Sequence, residues 1–271
     1  MAATGAPLAK VRAMQPRHAP LLAPVTLAAA AVVLGAWRAR HIVTSWKVGD
    51  RLANTAVAFE RPGRVHAPCV LVVGDSTAVG TGACRPEDSI AGRLARQFPD
   101  VAIVNRGRNG AKTLDVIVQL AEEGDKRYDL VLVHVGGNDV LRATPMRELV
   151  PQMDTLMQLA RKLSHHVVVT TIPNIGLLPL FFPPLSWWLS QRSERLCALV
   201  AAASREHRVH YVDFFHRRAT DPFSRDPARY FAEDRFHPSA DCYSYVYDAL
   251  MAATPIAAAL TRTRVRAVHT A

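Results

Sequence analysis

From residue 69 onward, short continuous apolar runs alternate with longer stretches in which apolar residues recur every three or four positions. The continuous runs are rich in β-branched residues and predict five strands, at Cys69–Val73, Val101–Asn105, Leu130–Val135, Val167–Thr171 and Val209–Asp213. Strands that are apolar at every position are buried on both faces, which is typical of a parallel sheet.

The periodic stretches between these strands predict helices. One is opened by Pro86, one spans Thr113–Glu123, one is capped by Thr144 with Pro145 in its first turn, and two more span Arg192–Glu206 and Pro238–Leu260. The alternation predicts an α/β fold, a three-layer αβα sandwich with a five-stranded parallel sheet. In such sheets, functional sites gather beyond the carboxyl ends of the strands.

The chain has 271 residues, which suits one α/β domain with appendages. We divide it into a basic N-terminal region (1–51), a domain (52–254) and a basic C-terminal tail (255–271). The net charge of +10 lies mostly at the ends, with +6 in the first region and +3 in the tail, so the domain carries only +1. This distribution fits an anionic membrane surface better than nucleic acid, and we expect no nucleic-acid partner.

The stretch Ala19–Trp37 contains no charged residue and is close to the shortest length that spans a bilayer. We favour an uncleaved membrane anchor, because no small-x-small cleavage site follows at Trp37–Arg40. A cleaved signal peptide, with Lys10, Arg12 and Arg17 as its basic region, and a buried helix of the domain are the alternatives. Basic residues on both sides leave the orientation open.

The four cysteines show no spacing typical of a metal site. Cys69 and Cys197 lie in apolar runs, which predicts buried thiols and does not identify the redox compartment. We expect neither a metal nor an organic cofactor.

The first predicted strand runs directly into Gly74-Asp75-Ser76, in the stretch VVGDSTAVG. Ser and Asp are ordinary turn-capping residues, so this corner alone has a structural explanation. A serine at the carboxyl end of a central strand is also where a nucleophile would lie, provided that a base and oxyanion donors are nearby.

Two other strand ends carry groups that could stabilise an oxyanion. Asn138, in the stretch GGND after the third strand, has an amide that can donate to developing negative charge. Gly110, in the loop after the second strand, can bring its backbone N–H close without a side chain in the way. Each of these sequences is also common in turns.

Asp234 and His237 are three residues apart, so that one turn can bring the carboxylate to the imidazole. Pro238 keeps His237 out of the helical region and at a helix entrance, where the helix dipole opposes protonation of the imidazole. A neutral imidazole oriented by a carboxylate can act as a general base. A capping Asp beside a surface His is the alternative.

Gly-Asp-Ser, Gly110, Gly-x-Asn-Asp and Asp-x-x-His occur in this order, and over roughly residues 69–250 the chain resembles the SGNH (GDSL-type) hydrolases, a family of esterases and lipases. The resemblance implies their flavodoxin-like fold, with Ser76 as nucleophile, His237 as base and Asp234 as the residue that orients it. It also implies an oxyanion hole formed by the backbone N–H groups of Ser76 and Gly110 and the Asn138 side chain. The Gly-x-Ser-x-Gly elbow of α/β-hydrolases is absent.

The stretch from Leu177 to Trp188 is apolar and interrupted by prolines, too short and broken to span a bilayer. We interpret it as an apolar lip that binds an acyl chain, with Leu178, Phe181, Phe182 and Trp187 as candidate substrate contacts. Additional core packing is an equally good interpretation.

The resulting hypothesis is a membrane-associated serine esterase that acts on lipid-like or other acyl-chain esters. An O-acetyl esterase acting on carbohydrate or cell-wall polymer uses the same serine, glycine and asparagine groups and remains an alternative. A non-catalytic anion-binding module is disfavoured, because binding an anion requires neither Asp234 nor His237.

Overall fold

The computed structural model describes residues 22–261 of the chain. Its sheet contains five parallel strands: β1 Cys69–Gly74, β2 Ala102–Asn105, β3 Leu130–His134, β4 Val167–Thr170 and β5 His210–Val212. The strand order is β2-β1-β3-β4-β5, the doubly wound order of flavodoxin-like folds. The predicted parallel sheet is therefore confirmed, and each strand ends within one residue of its predicted position.

Helices connect and flank these strands. They are α1 Leu22–Thr55, α2 Ser76–Val79, α3 Ile90–Gln97, α4 Thr113–Ala121, α5 Gly137–Leu141, α6 Met146–Leu163, α7 Leu185–Glu206, α8 Pro222–Arg225, α9 Pro227–Tyr230 and α10 Ala240–Ala253. Two 3₁₀ turns span Pro86–Asp88 and Ile175–Leu177.

Four predicted helix starts were wrong. Thr144 does not cap α6, whose N-cap is Pro145 and whose first residue is Met146. Pro86 opens only a 3₁₀ turn, because the side chain of Ser89 accepts from the N–H of Gly92 and begins α3 there. Helix α7 starts at Leu185 rather than Arg192, since the prolines before it are compatible with a helix N-terminus. Helix α10 starts after the Ser239 cap and ends at Ala253.

The core lies on both faces of the sheet. Residues 70–73, 130–133 and 167–169 of the three central strands are almost completely buried. Helices α4, α6 and α7 pack in series, and α3 packs with α10. Two helical layers around a sheet buried on both faces give the predicted three-layer αβα sandwich.

The chain divides into two compact units, the first ending at Val43 and the second beginning at Thr44. The predicted domain boundary after residue 51 falls inside α1. Among residues 22–261, no helix combines the length and apolar character needed to cross a membrane. The start of the predicted anchor lies outside the described residues, as do the basic side chains on which the charge argument partly depends: Lys10, Arg12, Arg17, Arg262, Arg264 and Arg266.

The carboxyl ends of four strands are in register, which brings the loops after them together at one edge of the sheet. The aligned residues are Gly74, His134, Thr170 and Val212. The candidate site lies beyond this row.

Candidate active site

The corner that carries Ser76 is fixed by its backbone. Gly74 has φ +145°, and a Cβ there would lie 2.2 Å from the carbonyl oxygen of His134, so that only glycine fits. The side-chain amide of Gln119 accepts from the N–H of Gly74 and donates to its carbonyl oxygen, at 2.8 and 3.1 Å. Asp75 then caps α2 by accepting from the N–H of Thr77 at 2.8 Å. Ser76 is thereby held as the first residue of α2.

Asp234 and His237 form a close pair in the loop before α10. Asp234 Oδ2 lies 2.5 Å from His237 Nδ1, and Asp234 Oδ1 accepts from the N–H groups of Phe236 and His237 at 3.0 Å each. Burial acts to raise the pKa of Asp234, but the hydrogen bonds from His237 and the backbone outweigh it and the pKa is lowered. An ionised carboxylate only accepts, so Nδ1 carries the hydrogen and Nε2 is left as the basic nitrogen.

Ser76 and His237 line the same cavity, of about 80 Å³. Its polar side also includes Asn138. The rest of the wall is mainly apolar and comes from α5, the loops after β4 and β5, and the segment between α8 and the loop of Asp234 and His237. Its apolar residues are Leu141, Ile172, Ile175, Leu178, Phe214, Phe223 and Phe231. The cavity thus brings a hydroxyl and an imidazole to one mainly apolar space.

Asn138 is the second residue of α5 and contacts the loop that contains Gly110. Its side-chain amide donates to the carbonyl oxygen of Ala111 at 3.1 Å. Gly110 itself has φ +77°, which favours glycine, and it does not line the cavity. The neighbouring Asp139 accepts from the N–H and hydroxyl of Thr113 at 2.8 and 2.7 Å, which joins α5 to α4.

The candidate substrate contacts separate in the structure. Leu178 is 3% exposed and lines the cavity with Ser76. Phe181 packs against the core, and Phe182 is half-buried. Trp187 is 66% exposed and lines a different depression, together with Arg217. The structure therefore brings one of the four to the site.

Sequence reasoning missed His134 and the aromatic wall of the cavity. His134 is buried, its Nδ1 lies 2.7 Å from Thr170 Oγ1, and its Nε2 has no hydrogen-bond partner within residues 22–261. Burial lowers its pKa to about 4, so that it is neutral at physiological pH. Its position two residues before the stretch GGND was the available signal. Phe223 and Phe231 could not be assigned to the cavity, because their segments lack a strand or a motif to place them.

The four cysteines are free thiols. Cys197 is buried, as predicted, whereas Cys69 is only partly buried. Within the described part of the chain, one group of side chains has the spacing of a metal site: Asp154, Glu206 and His207. This group is largely exposed and does not line the cavity, so it adds nothing to the site.

Comparison with known proteins gives a consistent family. The sequence profile of the GDSL-like lipase/acylhydrolase family matches residues 72–245, nearly two thirds of the chain. A GDSL-like esterase of Mycobacterium tuberculosis is 27% identical over 208 residues, which cover 72% of this chain and 63% of that relative. This chain therefore matches less than two thirds of the relative's length.

Solved structures share the fold. An extracellular lipase from Streptomyces rimosus superposes with a TM-score of 0.54 at 19% identity, over 69% of this chain and 100% of its own. A phospholipase A1 from Streptomyces albidoflavus NA297 gives the same values. The enzyme LAE5 from the metagenome of Lake Arreo gives 0.55 at 20% identity, over 72% of this chain and 97% of its own. At these identities the likeness concerns the fold.

Proposed function

This chain belongs to the GDSL-like lipase/acylhydrolase family, and from that premise we propose that it hydrolyses carboxylic esters through an acyl-Ser76 intermediate. The observation that carries the proposal is the Asp234–His237 pair, whose carboxylate is buried and whose imidazole lines the same cavity as Ser76. Neither residue of this pair is needed for a structural turn at Ser76.

In the proposed first step, His237 Nε2 takes the proton from Ser76 Oγ while the oxygen attacks the ester carbonyl carbon. The carbonyl oxygen becomes an oxyanion, which the backbone N–H groups of Ser76 and Gly110 and the Asn138 amide stabilise. The protonated His237 then gives its proton to the departing alcohol as the carbon–oxygen bond breaks, and an acyl-serine is left.

In the second step, a water molecule attacks the acyl-serine, with His237 again as base. The resulting oxyanion collapses, the acid is released, and Ser76 Oγ recovers its proton from His237. Asp234 remains ionised throughout, since its hydrogen bonds lower its pKa, and it stabilises the imidazolium that forms in each step.

The apolar lining of the cavity supports esters with an acyl chain as the substrate class. Leu178, Phe214 and Phe223 are each buried to more than 95% and offer a chain apolar surface alone. Carbohydrate recognition would require hydrogen-bonding side chains at the same positions, which makes the O-acetyl esterase the second candidate.

Hydrolysis of p-nitrophenyl esters from acetyl to octanoyl tests both the reaction and the substrate class. We expect kcat/KM to rise by about fourfold for each methylene that the cavity still admits, since burying a methylene contributes about 0.8 kcal/mol. Leu178→Ala should flatten this rise, and Trp187→Ala, a control outside the cavity, should preserve it. Preference of the wild type for acetyl esters would favour the O-acetyl esterase.

We also propose that the N-terminal region attaches the protein to a membrane. Support comes from the uncharged stretch 19–37 and from its exposed apolar side chains, Val32, Val33 and Trp37, at 71%, 69% and 53% exposure. Carbonate washing of membranes from cells that express C-terminally tagged protein tests this. Full-length protein should resist the wash; its release would contradict an anchor, and a shortened soluble product would show a cleaved signal peptide.

A further inference from the structure

The C-terminal end of α1 packs with one face against the catalytic domain. Within the compact unit that begins at Thr44, the less exposed positions of this helix recur every three or four residues: Ser45, Val48, Gly49, Leu52 and Ala53. The positions between them, such as Trp46 and Asp50, are exposed. This periodicity is typical of a helix that packs one of its sides against the rest of the protein.

At Gly49 this face meets the catalytic pair. A Cβ added to Gly49 would lie 3.0 Å from Asp234 Oδ2, a distance that real Cβ atoms rarely show without a shift of the neighbour. Asp234 Oδ2 is the oxygen that holds His237 Nδ1. The backbone of α1 therefore covers this carboxylate directly, and Asp234 is only 1% exposed.

One turn further along, α1 contacts the loop that precedes Gly110. The side-chain amide of Asn109 donates to the carbonyl oxygen of Ala53 at 2.8 Å, and Asn109 Oδ1 accepts from the hydroxyl of Thr81 at 2.6 Å. On the exposed side, Arg51 pairs with Glu233 at 2.6 Å, next to Asp234. One helical segment thus touches both the loop that contains Asp234 and His237 and the loop that contains Gly110.

We propose that residues 45–53 of α1 are a positioning element for catalysis, with Gly49 as its central residue. The missing side chain of Gly49 lets the helix lie against Asp234 and hold its Oδ2 toward His237, while Ala53 holds the loop of Gly110 through Asn109. This inference rests on the proposed function, because it assigns Asp234 and His237 their catalytic roles. A truncated protein that begins at the predicted domain boundary, after residue 51, would therefore lack Gly49.

If Gly49 has no role beyond its place in the helix, the prediction is different. Glycine inside a helix is less favourable than alanine, so Gly49→Ala should then stabilise the protein and leave turnover unchanged. Gly35, in the same helix, is the matched control, because an added Cβ there has no atom within 4 Å.

The experiment compares full-length Gly49→Ala, Gly49→Val and Gly35→Ala in kcat, KM, Tm and the downfield ¹H NMR resonance of the proton between Asp234 and His237. For Gly49→Ala we expect kcat to fall by about tenfold, because small displacements of catalytic groups are costly, with KM within about twofold. The Val variant should lose more. The resonance should shift in both Gly49 variants, while Gly35→Ala should match the wild type in every respect except a higher Tm.

Normal kcat and an unshifted resonance in Gly49→Ala would overturn the inference, as would an activity loss that only follows a fall in Tm. If Gly49→Val does not fold, Gly49→Ala decides alone. Ser76→Ala, assayed in parallel, separates the two proposals. If it is inactive while Gly49→Ala behaves as Gly35→Ala, only the positioning role fails; if it is fully active, the proposed function itself fails.

Discussion

Asp75 lines the cavity, and Asp234 holds the histidine that lines it. The two carboxylates are buried to nearly the same extent, at 3% and 1% exposure, yet their pKa values move in opposite directions. Burial raises the pKa of Asp75 to about 6, against the opposing hydrogen bonds from Thr77. Burial acts on Asp234 in the same sense, but the hydrogen bonds from His237 and from two backbone N–H groups more than offset it.

The difference indicates that the donors facing a buried carboxylate, and not burial alone, set the direction in which its pKa moves in this site. Asp234 is surrounded by donors, remains ionised and can stabilise a charged imidazole. Asp75 has few donors, and its role is to cap α2 and shape the corner at Ser76. The two residues should therefore respond very differently to the same chemical change, from Asp to Asn.

Asp234→Asn tests the carboxylate that we assign to catalysis. The amide can donate to His237 Nδ1, which would put the hydrogen on Nε2 and remove the base, so we expect kcat to fall by about 10⁴-fold. Steady-state kinetics on a short p-nitrophenyl ester, with circular dichroism to check the fold, measures this. Turnover within tenfold of the wild type would show that Asp234 does not orient the base.

Asn138→Ala tests the same distinction, between a residue of the site and a structural residue, within α5. Asn138 lines the cavity, whereas the neighbouring Asp139 binds Thr113. Loss of one oxyanion donor should lower kcat by about 10²- to 10³-fold, because that donor acts most strongly on the transition state. We expect KM and Tm to change little, since within residues 22–261 the Asn138 side chain makes one hydrogen bond, to Ala111. A variant with normal kcat would remove Asn138 from the site.

Asp75→Asn tests the carboxylate to which we assign a structural role, and it should have the smallest effect on activity, within a few-fold. The pKa of Asp75 is about 6 in the folded protein and 3.8 ordinarily, so the folded state binds this proton more tightly than the unfolded state does. The stability that this binding contributes is present below pH 3.8 and is lost as the pH rises through 6.

Asparagine does not titrate, so the variant does not lose stability in this way as the pH rises. Its side-chain oxygen can still accept from the N–H of Thr77. We therefore expect it to gain stability relative to the wild type as the pH rises from 4 to 8, by on the order of 3 kcal/mol at most. Urea unfolding at several pH values measures the difference. A difference that does not change with pH would contradict the raised pKa.

The sheet could be predicted from the sequence because each strand is a continuous apolar run with turn residues at its end. Ser76 and Asn138 could be predicted as site residues because they follow two of these strands, and a parallel sheet places the loops after its strands at one edge. The start of α7 was missed because Pro183 and Pro184 were interpreted as helix breakers, although proline is well tolerated before a first helical turn.

The contact of Gly49 with Asp234 could not be predicted, because it joins residues 185 positions apart and neither sequence around them indicates the other. The sequence interpretation placed residues 1–51 outside the domain, and only the packed structure shows that Gly49 and Ala53, at the C-terminal end of α1, contact the loops of Asp234 and Gly110. The contact of His134 with Thr170, on a neighbouring strand, could not be predicted for the same reason.

The proposed function depends above all on Ser76 as the nucleophile and on its activation by the Asp234–His237 pair. Intact-mass measurement after treatment with a fluorophosphonate, together with peptide mapping, is the decisive test, because the reagent traps a serine that attacks with its oxygen. We predict one adduct per chain, on Ser76, with no adduct in Ser76→Ala and much slower labelling in His237→Ala. Equal labelling of wild type and Ser76→Ala, or an adduct on another residue, would contradict this assignment.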